Sequence, residues 1–282
     1  MKATYHAHCD YCDGSASARE MALAARAAGL DILGFSSHAP LGMDIYAGNM
    51  KRERVGDYVG EIRAIAREWE GKGLEVLMGM EIDWLRGAQA PADPYFSALG
   101  LDYAIGSVHL VDLGGGPFAV DDEASKFDAR VAADAGGDAR LVWRAYYREL
   151  CALIEAGGFD ILGHLDLVVK NNRGGRHFDE GDPAYRAAAL EAARLLAGRG
   201  IVAEVNYGGM ARGKTDAPYP APFILRELCE LGVPATLSAD AHAPAHLASH
   251  REAAREAARA AGYRSVAVLT KGKWIEVGLD EA

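Results

Sequence analysis

The chain has 282 residues, half of them hydrophobic, which is enough to bury a large core in a barrel-type domain. No run approaches the roughly 18 consecutive apolar residues of a membrane span, and no apolar signal segment precedes His6, so the expectation is a cytoplasmic protein without membrane contact. With 40 acidic against 30 basic residues the net charge is −10, and no long Lys/Arg run is present; this argues against a nucleic-acid partner and for a small anionic substrate held by a few cations or metals.

In chain order, residues 2–6 read as a short first strand and 16–28 as a helix, with Ser15 or Ser17 as N-cap and Gly29 just past its end. A strand over 32–36, a helix over 54–70 and strands over 74–82 and 103–108 follow. The stretch 112–139, rich in Gly, Asp and Ala, reads as a long loop with room for a short helix, the kind of segment that often forms a lid or binding loop. The pattern resumes with helix 140–156, strand 159–163, helix 183–198, strand 201–205, helix 220–231, strand 235–239 and helix 246–261. A short strand over 265–269 and an extended tail over 273–277 end the chain. Strands alternating with helices imply a parallel sheet. Seven or eight such units favour one closed barrel over residues 1–282 rather than an open doubly wound sheet. The first strand leads into His6-Ala7-His8, not into the Gly-rich turn of a dinucleotide site.

The four cysteines, Cys9, Cys12, Cys151 and Cys229, are few and scattered, as expected of reduced thiols. A lone Cys9-x-x-Cys12 without a second pair does not make a zinc ribbon, and both residues are read as packing.

The histidines are more informative. His6, His8, His38, His109, His164 and His242 sit at or just after predicted strand ends, and Asp13, Glu81 and Asp240 share that placement. In a parallel barrel these ends meet on one face. Imidazole and carboxylate suit divalent transition metals such as Zn, Mn or Fe. His6 and His8, at i and i+2, project to the same side of a strand, and Glu81 can bridge two ions. Nine candidate ligands exceed the needs of one tetrahedral site, so two or three ions are expected. His177, His246 and His250 lie in a loop or on a helix and read as surface residues.

Taken in order, these segments resemble the PHP (polymerase and histidinol phosphatase) superfamily. His6-Ala-His8-Cys-Asp-Tyr-Cys-Asp13-Gly14 is similar to its H-x-H-[ST]-x-x-S-D-G opening. Ser37-His38, Gly79-Met-Glu81, Gly106-Ser-Val-His109, Gly163-His164-Leu-Asp166, Glu204-Val-Asn206 and Ser238-Ala-Asp240-Ala-His242 follow in register. Within the superfamily the chain most resembles the monofunctional histidinol-phosphate phosphatases, through the Asp-rich loop after His109, Gly163 to Val168 with Lys170, and Tyr219-Pro220. The resemblance implies a distorted (β/α)7, TIM-barrel-like fold and a trinuclear cluster. One ion would lie on His6, His8, Glu81 and Asp240, a second on Glu81, His109 and His164, and a third on Asp13, His38 and His242. It also implies hydrolysis of L-histidinol phosphate in histidine biosynthesis; another small phosphate ester, such as a nucleotide or sugar phosphate, or a nuclease or polymerase-associated role are the alternatives. Lys170 and Arg212 are the candidate phosphate contacts, Arg173 and Arg176 looser ones, and Asp240 and His242 the candidate proton-transfer groups. The chain departs from the phosphatase pattern Glu-x-Asn-Thr-Ser-Gly-Leu-Arg-Lys at Tyr207-Gly208-Gly209-Met210-Ala211-Arg212, where the two hydroxyls are absent and the arginine is displaced by one position.

Overall fold

A computed structural model describes residues 1–42 and 48–282. Its strands are β1 (Ala3–Thr4), β2 (Ile32–Phe35), β3 (Glu75–Asp83), β4 (Tyr103–Ser107), β5 (Leu110–Asp112), β6 (Pro117–Ala119), β7 (Ile161–Leu162), β8 (Val202–Asn206), β9 (Ala235–Ser238), β10 (Ser265–Thr270) and β11 (Lys273–Gly278). The α-helices are α1 (Ala18–Ala27), α2 (Val55–Trp69), α3 (Pro94–Ser97), α4 (Ala124–Ala135), α5 (Arg140–Ala156), α6 (Pro183–Leu195), α7 (Gly208–Ala211), α8 (Pro222–Glu230) and α9 (Arg251–Ala261).

Seven strands pair in the order β1-β2-β3-β4-β7-β8-β9, all parallel. The two edges then meet: Ala7 bridges Ala241, with His8 N donating to Ala241 O at 2.8 Å and Ala241 N to His6 O at 3.2 Å. The expected (β/α)7 barrel is therefore nearly closed, and the closing bridge falls on the residues between His6 and His8 and between Asp240 and His242. Several barrel strands are buried along their length, the reading expected of strands covered on both faces.

The helices follow their sequence signals. Ser17 caps α1 in a reciprocal pair with Glu20, so of the two candidates it is Ser17 that starts the helix. In α2, Val55, Tyr58, Ile62 and Ile65 recur at helical spacing and are the buried face.

Three readings change. The 112–139 stretch is more ordered than its composition suggests: β5 and β6 form an antiparallel hairpin around Gly114–Gly116, and α4 runs for 12 residues. Only Phe127, Val131 and Ala135 anchor that helix, at i, i+4 and i+8, and one alanine among them hides the period. The last two strands pair only with each other, as the antiparallel β10–β11 ribbon, and β10 does not join the barrel. The helix expected from residue 246 starts at Arg251, because Pro244–His246 forms a 3-10 turn first.

One aromatic ring supports the middle of the barrel. Tyr103 lies against Gly34 and Gly79, and its hydroxyl donates to Phe35 O at 2.9 Å and to Tyr5 O. A methyl group on Gly79 would come within 2.4 Å of the Tyr103 ring. Gly79→Ala should therefore destabilise the fold by about 1–3 kcal/mol, the usual range for overpacking a close-packed core. Urea unfolding measures this, and an unchanged midpoint would show that the ring can move aside.

Candidate metal centre

The nine candidate ligands do meet at the C-terminal mouth of the barrel. Glu81, on β3, is fully buried and lies at their centre. Its Oε2 is 3.1 Å from His6 Nε2, 3.6 Å from His8 Nε2 and 3.0 Å from His38 Nδ1. Its Oε1 is 3.5 Å from His109 Nε2 and 3.1 Å from His164 Nε2. On the far side, Asp240 Oδ1 lies 3.8 Å from His6 Nε2 and 3.5 Å from both His8 Nε2 and His242 Nδ1. Asp13 Oδ2 is 3.3 Å from His242 Nε2, and its Oδ1 is 3.8 Å from His38 Nε2.

Local structure explains these positions. His6 and His8 both face Glu81, as alternation along a strand requires. Asp13 is brought back by a tight turn in which Gly14 N donates to Cys9 O at 3.2 Å; a Cβ at Gly14 would collide with the Cys9 backbone. That turn is tied across the mouth, because Ser15 N and Oγ both donate to His242 O, at 2.8 and 2.9 Å.

A second layer of carboxylates orients the rings; Glu204 stood in a matching segment without a role, and Asp83 was not singled out. His6 Nδ1 pairs with Glu204 Oε1 at 2.8 Å, and His109 Nδ1 with Asp83 Oδ1 at 2.6 Å. With those protons directed outward, each Nε2 faces the centre with its lone pair. Ser107 Oγ donates to Glu81 Oε1 at 2.7 Å. Asp83 was legible in principle, two residues after Glu81 on the same strand and hence on the same face.

The donor set fits divalent cations. His6 Nε2, His8 Nε2 and Glu81 Oε2 are buried and make no hydrogen bond among the described residues, yet all three converge. Four overlapping groups have ligand atoms within 4.8 Å of one another: His8, Asp13, His38 and His242; His6, His8 and Glu81; His6, His164 and Asp240; and His38, Glu81 and His109. The electrostatics agree. Burial opposes charge on Glu81, but His6, His38 and His109 outweigh it and hold the carboxyl well below its ordinary range. Burial likewise opposes charge on His6, yet Glu204, Glu81 and Asp240 raise its pKa well above normal. Burial, with His242 and His38 beside it, pushes His8 down to about 3, which leaves its ring neutral. Such a cluster demands positive charge at its centre, and a metal cation supplies that charge in place of protons.

A cavity of about 120 Å³ opens over the cluster, with Lys170, Arg212, Asp121 and Leu167 on its walls. Arg212 reaches in from the end of α7 and binds Asp240 Oδ2 at 3.0 Å and His242 Nδ1 at 2.7 Å. Lys170 Nζ lies 2.9 Å from Asp121 Oδ2, so the hairpin loop after β6 contributes a wall of the site. Asn171 Nδ2 fastens that loop through Val120 O and Asp122 O. The looser candidates lie elsewhere: Arg173 pairs with Asp216 and Arg176 with Asp128. His177 is not a plain surface residue but is half-buried against Phe127, and His246 and His250 are also half-buried. All four cysteines are free thiols, and Cys9 is buried with Sγ 3.4 Å from Ser37 Oγ, a packing role as expected. No helix among the described residues is long and apolar enough to cross a membrane.

Comparison with known proteins agrees with this geometry. The family model described as the PHP domain matches residues 4–208, and the chain belongs to that family. A Deinococcus radiodurans protein named "Probable histidinol-phosphatase" is 35% identical over 239 residues, covering 84% of this chain and 85% of that protein. Among solved structures, a candidate histidinol phosphatase HisK of Listeria monocytogenes superposes with a TM-score of 0.79 at 21% identity, over 87% of this chain and 97% of that one. Histidinol phosphate phosphatase HisK of Lactococcus lactis, complexed with Zn, L-histidinol and phosphate, superposes with a TM-score of 0.67 at 22% identity, over 97% and 98%. The distorted (β/α)7 PHP barrel is thus the fold of this chain.

The orienting carboxylates give a prediction. Glu204→Gln and Asp83→Asn should each weaken metal binding about 10–100-fold while leaving every candidate ligand in place. Zinc occupancy against a graded chelator series measures it; wild-type affinity in both variants would show that the rings hold their orientation without these partners.

Proposed function

We propose that this member of the PHP family is a metal-dependent phosphatase that hydrolyses L-histidinol phosphate to L-histidinol and phosphate. The observation that carries the reading is Glu81, a fully buried carboxylate facing five imidazoles at the mouth of the barrel. The substrate is supported by the Deinococcus relative at 35% identity over most of both chains.

The candidate ligands are His6, His8, Asp13, His38, Glu81, His109, His164, Asp240 and His242, enough for two or three ions of Zn, Mn or Fe. Bound divalent cations supply Lewis-acid activation of water and neutralise the charge of the phosphoryl group. The protein's own groups do the rest. Arg212 and Lys170 are cationic donors on the cavity wall, suited to the outer phosphoryl oxygens. In the resting arrangement their charges are balanced by Asp240 and Asp121, so an entering phosphate exchanges one anionic partner for another. Asp240 and His242 are the candidate proton-transfer groups; their separation of 3.5 Å and their shared contact with Arg212 support that reading. The cavity of about 120 Å³ has room for the phosphoryl end of a small ester, and the net charge of −10 disfavours a nucleic-acid polymer.

A second substrate class within the same chemistry follows from Tyr207–Arg212, where this chain departs from the histidinol phosphatase pattern. A panel of L-histidinol phosphate, nucleoside monophosphates and sugar phosphates, scored as kcat/KM for phosphate release, separates the two. Histidinol phosphate should lead the panel, and a nucleotide or sugar phosphate in first place would overturn the substrate while keeping the chemistry. His109→Ala should lower metal content and activity together, and Arg212→Ala should lower kcat/KM by about 100-fold or more with metal content retained. Full activity after exhaustive chelation would sink the metal-dependent mechanism.

A further inference from the structure

His6 and His109 each turn their outward nitrogen to a carboxylate, Glu204 and Asp83. His8 has no such partner within hydrogen-bond distance. Its side chain is fully buried, and among the described residues the carboxylate oxygen beside its Nδ1 is Asp13 Oδ1, 3.8 Å away. What meets Nδ1 is the thiol of Cys12, with Sγ at 3.5 Å. The same sulfur lies 3.5 Å from Cys9 O, the carbonyl that gathers the turn by accepting from Cys12 N at 3.0 Å and Gly14 N at 3.2 Å. The turn that brings Asp13 back to the mouth thus also sets a thiol behind a candidate ligand. In the family pattern H-x-H-[ST]-x-x-S-D-G this position is a serine, so the cysteine is a departure of this chain.

A neutral imidazole carries one ring proton and a thiol carries one. Two placements are open. If the thiol donates to Nδ1, the ring proton lies on Nε2, which makes no hydrogen bond among the described residues; Asp240 Oδ1 and Glu81 Oε2 are 3.5 and 3.6 Å away. That placement also removes the lone pair that an ion would use. If the ring proton lies on Nδ1, it meets a sulfur lone pair, and the thiol turns its own proton to Cys9 O. Nε2 then faces Glu81 and Asp240 with its lone pair. Only in the second placement do both protons have acceptors, as a buried site requires. The sulfur itself stands apart from the ions, because Cys12 belongs to none of the four groups whose ligand atoms converge.

We propose that Cys12 is a positioning residue for the metal centre: its sulfur accepts the Nδ1 proton of His8, its own proton goes to Cys9 O, and the tautomer so fixed turns Nε2 toward the ions. The thiol does for His8 what a carboxylate does for His6 and His109. This role rests on the metal-dependent reading of the cluster.

The test compares Cys12→Ser, Cys12→Val and Cys12→Ala in the zinc-loaded full chain, with zinc retention followed against a graded chelator series. The serine variant keeps an acceptor and should hold zinc within about threefold of wild type. The two apolar variants leave the buried Nδ1 proton without a partner and should lose one ion about 10–100-fold more readily, the usual cost of removing an orienting partner. Valine comes closest to the thiol in bulk, so a role in packing alone would make it the better replacement. Valine matching or surpassing serine, or wild-type retention in both apolar variants, would overturn the proposal. Should the valine variant fail to fold, serine against alanine decides the matter. A cobalt-loaded wild-type chain gives an independent check: it should lack the intense near-ultraviolet band of a cobalt-bound thiolate, and such a band, lost in Cys12→Ser, would make the sulfur a ligand and sink the positioning role. A wild-type chain that retained neither metal would remove the metal reading first, and this role with it.

Discussion

Glu81 sets the terms for the rest of the molecule. A carboxylate with no solvent contact is expensive to bury, and it persists only where opposite charge or hydrogen bonds surround it. Here both oxygens face imidazole nitrogens, and Ser107 adds a hydroxyl donor. Those partners come from β1, β2, β4 and β7 or the turns just after them, so no local stretch of chain could assemble them. A closed parallel barrel can, because every strand ends on the same rim. The requirement for a tightly surrounded carboxylate and the choice of a closed parallel architecture are therefore one requirement seen at two scales.

The imidazoles in turn depend on carboxylates behind them. Glu204 holds His6 and Asp83 holds His109, each through Nδ1. Without these acceptors a ring could turn or carry its proton on the inward nitrogen, and the donor atom would be lost although the residue remained. Below the cluster, Tyr103 fills the space left by Gly34 and Gly79 and ties the strands that carry the ligands. Rigidity at the mouth is thus supplied from within the barrel, while the loops above adjust the walls.

How much of this was legible in the sequence follows from what sets each feature. The barrel and its nine candidate ligands are written locally, as a β-rich run followed by histidine or aspartate, and His6-Ala7-His8 and Asp240-Ala241-His242 advertise themselves by alternation. The pairing of His6 with Glu204 spans 198 residues, and nothing in either segment names the other. The hairpin and α4 were hidden for a different reason: their few anchoring side chains sit among Gly, Ala and Asp, so composition outweighed period. Asp121 entered the site only because that hairpin folds back over it. Asp166 was visible as part of Gly163-His164-Leu-Asp166, but its partner, the Ala221 amide 55 residues on, is named by neither segment.

The displaced arginine shows how a sequence departure can preserve a contact. The serine of the pattern is Gly208 here, and a Cβ at this position would fall 2.6 Å from Asp240 Cβ, so α7 packs against the aspartate with no side chain between them. The turn ends at Arg212, whose guanidinium meets both Asp240 oxygens and the His242 ring. Gly209, glycine in the pattern as well, lies against Thr215 and Tyr219, where a Cβ would fall 2.6 Å from Thr215 Oγ1. The arginine thus reaches the cluster from a residue position one later than in the pattern. A motif comparison scores the segment as a mismatch, but a guanidinium stands on the wall of the cavity over the candidate ligands all the same.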